Sequence, residues 1–375
     1  MNFEFSDESI ALRDEFRGFV TDHKPIERLR RGIDAGQPCD VELWKKAAEL
    51  GWAGVTVPEA YGGTALGHEL LCLVAEEVGR TLAPLPFSTT VYMATEAILL
   101  AGSEAQKQAW LPRLVGGEVA TFALVEGPGD PVQAAIGATA TATATATAVS
   151  GVKTPVLDAD ISGFAVVAAR AADGVGLYLV DLNGPGVQRQ ALESLDPGRS
   201  LSTLVFANAP AERLAGSNGG WETIRAVLDR AAILVAFEQI GGADACLQMA
   251  VEYAKQRYAF GRPIGSFQAV KHKLAEMYVA VQLARSNAYY GAYAIGNDAP
   301  DLAVAAAAAR ISATAAFDMA SRENIQVHGG IGYTTDLDCH LYYRRARLLA
   351  LMLGSPACWK SYFIDQVSAS GATAS

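Results

Sequence analysis

Disulfide chemistry is what this sequence is least equipped for. Its five cysteines, Cys39, Cys72, Cys246, Cys339 and Cys358, are scattered with no C-x-x-C pair. An odd count without framework spacing predicts reduced thiols in a cytoplasmic setting. A basic excess is also missing. Thirty Lys and Arg face 40 Asp and Glu, a formal net charge of −10. Nucleic-acid binding needs a basic face, so no such partner is expected. No uninterrupted apolar run reaches the roughly 18 residues of a spanning helix, so no membrane span is expected. The Ala-rich run 302–309 is bordered by Asp301 and Arg310. The N-terminus, MNFEFSDESIALRDEF, is acidic and amphipathic, unlike a signal peptide. His328, Cys339 and His340 match no metal-ligand spacing, and no metal is expected.

What is present is 375 residues, 51% hydrophobic and 19% charged. That suffices for two or three structural domains with a large core. Residues 1–120 read as helices. Ser6 before Asp7 and Glu8 is an N-cap with an acidic first turn. Further helices are predicted at 41–50, 70–79, 94–100 and 106–114, with Gly102-Ser103 capping the last. Residues 121–215 change character. The short runs 164–169, 176–180 and 202–206, punctuated by Gly, Pro and Asp, predict a small β domain. Inside it, 138–148 alternates Thr with Ala. Period two allows a strand, but repetition fixes no unique register, so an ordered strand and a slipping or disordered segment both stay open.

From residue 216 the pattern is helical again. Long helices are predicted over 221–257, from about 266 to 295, and over 302–324. A fourth follows at 340–351, then a last amphipathic turn at 359–367. The third is so rich in Ala that neighbouring helices can approach closely, as in a tight bundle. Between the first two lies YAKQRYAFGRPIGSFQ, residues 253–268. Gly261, Pro263 and Gly265 stop one helix and permit close backbone approach. Arg257 and Gln268 then sit on a rigid corner. A cation and an amide there suit an anionic, hydrogen-bonding ligand such as a diphosphate. An ordinary helical hairpin with a solvated Arg remains the alternative.

Three ordered motifs extend this reading. R-Y-A-F-G-R-P-I-G-S-F-Q at 257–268 resembles the R-x-x-F-G…Q segment of acyl-CoA dehydrogenases. Q-V-H-G-G-I-G at 326–332 resembles that family's Q-x-x-G-G-x-G loop. Y-Y-R-R-A-R at 342–347 is similar to its Y-R-D-A-R helix. The stretch 51–63 also matches the family's G-W-x-G-x-x-x-P-E-x-Y-G-G loop. The resemblance covers nearly the whole chain. It implies a mostly α fold with a small central β domain: an N-terminal helical domain (1–120), a β-barrel-like middle domain (121–215) and a C-terminal four-helix bundle (216–375). It also implies FAD as cofactor, an acyl-CoA substrate and an electron-transfer acceptor. The adenosine and diphosphate of a neighbouring subunit's FAD would fall to Arg257, Phe260, Gln268, Gln326, Gly329 and Gly330. Arg supplies a charge-assisted fork to phosphate, and a Gly pair admits backbone contact where a Cβ would clash.

The flavin-ring side departs from the family pattern. Where the family has T-E-P-x-x-G-S-D, this chain has V-E-G-P-G-D at 125–130, so Val125 replaces the ring-facing Thr. Where it has W-I-T-N, Pro155 stands for Trp and Leu157 for Thr. The catalytic carboxylate is also missing. One family branch places it at Leu353, before Gly354, and the other at Ala231. The nearest carboxylates are Asp229, turned away by two helical positions, and Glu238, two turns along. Glu238 reads as an Arg-paired carboxylate, and it is also the one candidate base. The resemblance thus leads to a subunit of a hetero-oligomer, α2β2, paired with a homologous catalytic chain. It is similar to the heterotetrameric branch that acts on steroid side-chain thioesters. A self-sufficient homo-oligomeric enzyme using Glu238, and a flavin-free structural relative, are the alternatives.

Overall fold

The computed structural model describes residues 5–142, 147–217 and 220–372. In chain order come α1 (Asp7–Asp22), α2 (Pro25–Asp34), α3 (Val41–Glu49), α4 (Gly67–Thr81), α5 (Phe87–Thr89), α6 (Glu96–Ala101) and α7 (Glu104–Val115). Seven strands follow: β1 (Ala120–Ala123), β2 (Thr139–Ala142), β3 (Thr147–Leu157), β4 (Phe164–Ala171), β5 (Gly174–Asp181), β6 (Val187–Leu192) and β7 (Leu201–Arg213). Then come α8 (Trp221–Gln256), the two-residue strands β8 (Tyr258–Ala259) and β9 (Arg262–Pro263), α9 (Gln268–Gly296), α10 (Leu302–His328), α11 (Cys339–Leu351) and α12 (Pro356–Ala372). The chain divides into two compact units. A bundle unit comprises Met1–Arg30, His68–Ala83 and Ala232–Ser375, and a sheet unit comprises Arg31–Gly67 and Pro84–Ala231.

The helix starts follow local chemistry. Ser6 accepts from the Ser9 N–H, and Ser103 forms a full capping box with Gln106. α2 was not expected. Pro25 sits at its first position, where a missing N–H costs nothing, and Pro25 and Leu29 are buried. Between α5 and α6, residues Thr90–Thr95 form a π-helical turn rather than an α-helix. Thr hydroxyls in and just before the turn bond backbone carbonyls: Thr95 donates to Thr90 O at 2.9 Å, and Thr89, at the end of α5, to Pro86 O at 3.2 Å. Such side chains compete with the helical ladder.

In the sheet unit the strands close on themselves. β4 pairs β5, β5 pairs β7, β7 pairs β3, β3 pairs β2, and β2 returns to β4, with β1 added on β4 and β6 on β7. That closure is the barrel-like middle region. Its interior holds small and branched residues, among them Ala138, Val149, Val167, Val180, Leu204 and Phe206. The described parts of the Thr-Ala run are ordered strands: β2 and β3 pair antiparallel, Thr139 opposite Ser150 and Ala142 opposite Thr147. Residues 143–146 of that run lie outside the described residues.

In the bundle unit, glycine sets the closest helix approach. A Cβ on Gly79 would lie 1.8 Å from the Glu238 carbonyl oxygen, and one on Gly241 would lie 1.9 Å from that of Glu76. α4 and α8 therefore touch backbone to backbone, which only Gly permits. α10 buries Ala305, Ala306, Ala309, Ala313 and Ala320 and contacts α9, α11 and α12. By length and mean hydropathy α10 would suffice to cross a membrane. Here it is a bundle helix carrying buried Arg310 and Asn324. The four predicted long helices of this region are present, and α12 is a full helix where only a turn was expected.

Candidate functional site

The corner at residues 257–268 is a miniature hairpin. β8 and β9 pair Tyr258 with Pro263 and Ala259 with Arg262. Phe260 and Gly261 make its turn at φ +51 and +77, the sign pattern that matches strand twist in two-residue hairpins. The backbone holds it to the end of α8. Arg257 N–H donates to Tyr253 O at 2.8 Å, and Ile264 N–H donates to Arg257 O at 2.7 Å. The side chains point outward. Phe260 is 96% exposed, an unusual place and an unusual φ for a bulky ring. It meets Phe267 edge-on, with centroids 6.2 Å apart. The Arg262 guanidinium lies over that same Phe267 ring, 4.1 Å from its centroid. Arg257 and Gln268, the first residue of α9, are both exposed.

The second motif ends α10. Gly329 caps the helix at φ +66, and its N–H donates to Gln326 O and Ile325 O. Gln326, Gly329 and Gly330 are exposed. Gly330 is informative because nothing in the chain requires it. Its φ lies outside the left-handed region, and a Cβ there would meet no atom within 4 Å. An open glycine of this kind suits close approach by something outside the chain. Among the described residues, Arg257, Gln268 and Gln326 have no side-chain hydrogen bond or ion pair. A cation, two amides and an exposed ring are thus available to a ligand. These residues fit the adenosine and diphosphate end of FAD.

In the sheet unit the two ring-side segments do come together. Thr154 N–H donates to Val125 O at 2.9 Å, and Glu126 bridges to Thr154. Their chemistry, however, turns inward. Lys153 is fully buried and donates to Glu126 at 2.6 Å and to Leu124 O at 3.0 Å. Glu126 also accepts from the Gly137 and Ala138 N–H groups at 2.8 and 2.9 Å. Burial pushes the Glu126 carboxyl up, but Lys153 and those N–H groups outweigh it and leave it below the ordinary value. Burial pushes the Lys153 ammonium down. Deeper in, Asp158 and Arg199 form a buried pair at 2.5 Å, with Ser88 and Thr89 hydrogen-bonded to it. A cavity of about 170 Å³ is lined by residues 124–132 with Ala135 and Ile136. Val125, Pro155 and Leu157 bring no side-chain donor or aromatic plane to this strip. The ring end of a flavin does not fit these residues.

Both base positions hold apolar side chains: Ala231 is 0% exposed and Leu353 is 2% exposed. Asp229 pairs with Arg225 one turn back at 2.6 Å. Glu238 is 1% exposed, 3.9 Å from Arg345. Arg345 stands where the Y-R-D-A-R pattern has its Asp, so a buried cation stands where the pattern has an acidic residue, and Glu238 on α8 faces it. Glu238 was expected to be an Arg-paired carboxylate, and Arg345 is that Arg. Arg310 lies in the same core and donates to Gln239 at 2.7 Å and to Leu349 O. Burial pulls its pKa down to about 9, against the pull of Glu238. Glu238 is therefore a member of a buried charge cluster.

Residues 6–118 match the acyl-CoA dehydrogenase N-terminal domain and residues 218–358 its C-terminal domain. The acyl-CoA dehydrogenase IpdE2 of Mycobacterium tuberculosis is 33% identical over 353 residues, 93% of this chain and 94% of that one. Among solved structures, the Tcur3481-Tcur3483 steroid ACAD variant superposes with a TM-score of 0.89 at 32% identity, over 98% of this chain and 99% of its own. The ChsE4-ChsE5 complex from Mycobacterium tuberculosis gives 0.90 at 26% identity over the same shares.

Proposed function

The chain belongs to the acyl-CoA dehydrogenase family, and from that premise we propose that it is the non-catalytic subunit of a hetero-oligomeric acyl-CoA dehydrogenase. In this reading it supplies the adenosine end of a FAD site whose ring pocket and base belong to a homologous partner chain. The observation that carries the reading is a sorting of residues. The six positions that would serve a neighbour's flavin are present and exposed, whereas the ring-facing Thr, the Trp and Thr of the second ring-side motif and both base positions of this chain's own site are replaced.

Each residue has a role. Arg257 neutralises diphosphate charge with a forked donor, a charge-assisted contact worth about 1.5–3 kcal/mol. Gln268, at the first position of α9, and Gln326, in the last turn of α10, offer amide donors. Gly329 and Gly330 leave the backbone open to close approach where a Cβ would stand off. Phe260 offers a ring face to the adenosine. FAD itself supplies the hydride acceptor for α,β-dehydrogenation of the thioester. No proton transfer falls to this chain, because Leu353 and Ala231 cannot take one and Glu238 is committed to the buried charge cluster. The relatives named as a steroid ACAD and as a ChsE4-ChsE5 complex support a steroid-type acyl-CoA substrate and an assembly with a second kind of chain, for which α2β2 is the stoichiometry proposed.

A tag on this chain, with the partner co-purifying, tests the proposal. One FAD per pair of unlike chains is expected. Arg257→Ala should weaken flavin retention roughly tenfold or more. Glu238→Gln should leave turnover of the assembled complex within a few-fold, whereas loss of a general base typically costs about 10² or more. Collapsed turnover with flavin and assembly intact would make this chain the catalyst and sink the proposal.

A further inference from the structure

The two adenosine-end motifs lie far apart in sequence, yet both must converge on one diphosphate. We infer that a ring stack between Tyr253 and His328 sets their separation, which makes these two side chains positioning residues for the FAD phosphates. The inference rests on the function proposed above.

Their rings lie 4.2 Å apart between centroids, at 31°. Each ring is tied by backbone to one motif. Tyr253 is in the last turn of α8, and its carbonyl accepts the Arg257 N–H. The hairpin folds back so tightly that a Cβ on Gly265 would lie 2.9 Å from Ala254 O. Movement of the Tyr253 backbone therefore carries Arg257 with it. His328 is the final residue of α10, buried and directly before Gly329. Its Nδ1 lies 2.8 Å from Asn324 O. A carbonyl only accepts, so Nδ1 carries the proton and the ring plane is fixed. The following loop wraps this residue: a Cβ on Gly332 would lie 2.7 Å from the His328 Cβ. Rotation of His328 would therefore displace the Gly329–Gly330 backbone.

Neither ring needs to touch the cofactor. The stack fixes the span between the Arg257 guanidinium and the exposed Gly329–Gly330 backbone. Misplacement of donors by an ångström is enough to lose much of a positioned contact. Nothing in either motif's sequence pattern requires an aromatic at both 253 and 328, so this link is visible only in the fold.

The test measures FAD affinity by fluorescence titration of the deflavinated complex, purified through a tag on this chain. His328→Ala is expected to weaken FAD binding about three- to tenfold, the range an aromatic pair commands. His328→Phe keeps a ring and loses the Nδ1 donor, and it should bind within about twofold of wild type. Tyr253→Leu breaks the same stack from α8, so the inference stays testable if His328→Ala fails to fold. It should weaken binding by a similar factor, and together with His328→Ala it should add little more. Four results overturn the inference. Equal losses in His328→Ala and His328→Phe would assign the effect to the hydrogen bond with Asn324. Additive losses would mean the rings act separately. Wild-type affinity in His328→Ala and Tyr253→Leu, with Arg257→Ala still defective, would remove the stack from the site while leaving the proposed function standing. Wild-type affinity in Arg257→Ala as well would bring down both.

Discussion

The hairpin and loop of the bundle unit and the 125–158 strip of the sheet unit are built on opposite principles. In the first, backbone hydrogen bonds hold the shape: Arg257 N–H to Tyr253 O, Ile264 N–H to Arg257 O, and Gly329 N–H to the last carbonyls of α10. Side chains are left facing outward. In the second, side chains hold the shape: Lys153 to Glu126, and Glu126 to the N–H groups of Gly137 and Ala138. No polar side chain with that job is left for a ligand. A segment whose backbone satisfies its own structure can offer its side chains to another molecule. A segment held together by its side chains has already used them.

That contrast would break first at Glu238, if its charge were chemistry rather than structure. Arg345→Ala leaves a buried carboxylate without the guanidinium 3.9 Å away. Removing one partner of a buried pair typically costs about 3–5 kcal/mol. Denaturant unfolding of the variant should show a loss of that size. A loss below about 1 kcal/mol would mean that the Glu238 carboxylate does not depend on this pairing.

The sheet-unit strip yields the next effect. Lys153→Met removes the charged partner of Glu126 but leaves two N–H donors, so a loss of about 1.5–3 kcal/mol at neutral pH is expected. The pH dependence has a definite sign. The Glu126 carboxyl is held below its ordinary value in the folded chain. Its stabilisation is complete above the unfolded carboxylate value and disappears as pH falls through the lower folded value. The stability gap between wild type and Lys153→Met should therefore narrow on acidification below the ordinary carboxylate range. A gap constant with pH would assign the cost to lost packing of the Lys stem.

The sequence was most legible where the cause of structure is local. Ser6 and Ser103 announce their helices because an N-cap acts within three residues. The Arg257–Gln268 corner was readable because Gly261 and Gly265 mark where a helix must end. α2 escaped because three Arg residues hide a short apolar face of Pro25 and Leu29. The π-helical turn escaped because Thr hydroxyls rewired it. Closure of the strands could not be read at all: which strand meets which depends on pairings far apart in the chain. The Glu238–Arg345 pair falls between these cases. That Glu238 pairs with an Arg was legible, but which Arg was not, because Arg345 comes from another helix. The exposure of the six cofactor-contacting candidates is likewise a property of the fold, not of their spacing.

The glycine pair sharpens the contrast further. Gly330 meets no neighbour, so Gly330→Ala should leave stability unchanged or raise it by about 0.4–1 kcal/mol, through a less flexible unfolded chain. Flavin retention by the complex should still fall several-fold, because the new Cβ occupies the approach to the backbone. In the sheet unit, Gly186→Ala should do the reverse. Its φ is +77 and a Cβ there would lie 2.4 Å from Ala207 O, so stability should fall while flavin retention per folded complex holds. Thermal unfolding beside flavin absorbance separates the two cases. If Gly330→Ala retained flavin as wild type does, the loop would serve only as a helix cap.

The smallest expected change in stability is at Phe260. A bulky residue at φ +51 costs the chain roughly 1–2 kcal/mol relative to Gly. Its edge contact with Phe267 returns about 0.5–1.5 kcal/mol. The two nearly cancel, so Phe260→Gly should move the unfolding free energy by less than about 1 kcal/mol. The ring is otherwise exposed and contributes little burial. A residue so nearly neutral for the chain has its value outside it, and flavin retention is where that value would register. Loss of one stacking face should weaken FAD binding several-fold in the assembled complex. Unchanged flavin binding together with lower stability would place Phe260 among the residues that hold the hairpin, on the structural side of the comparison.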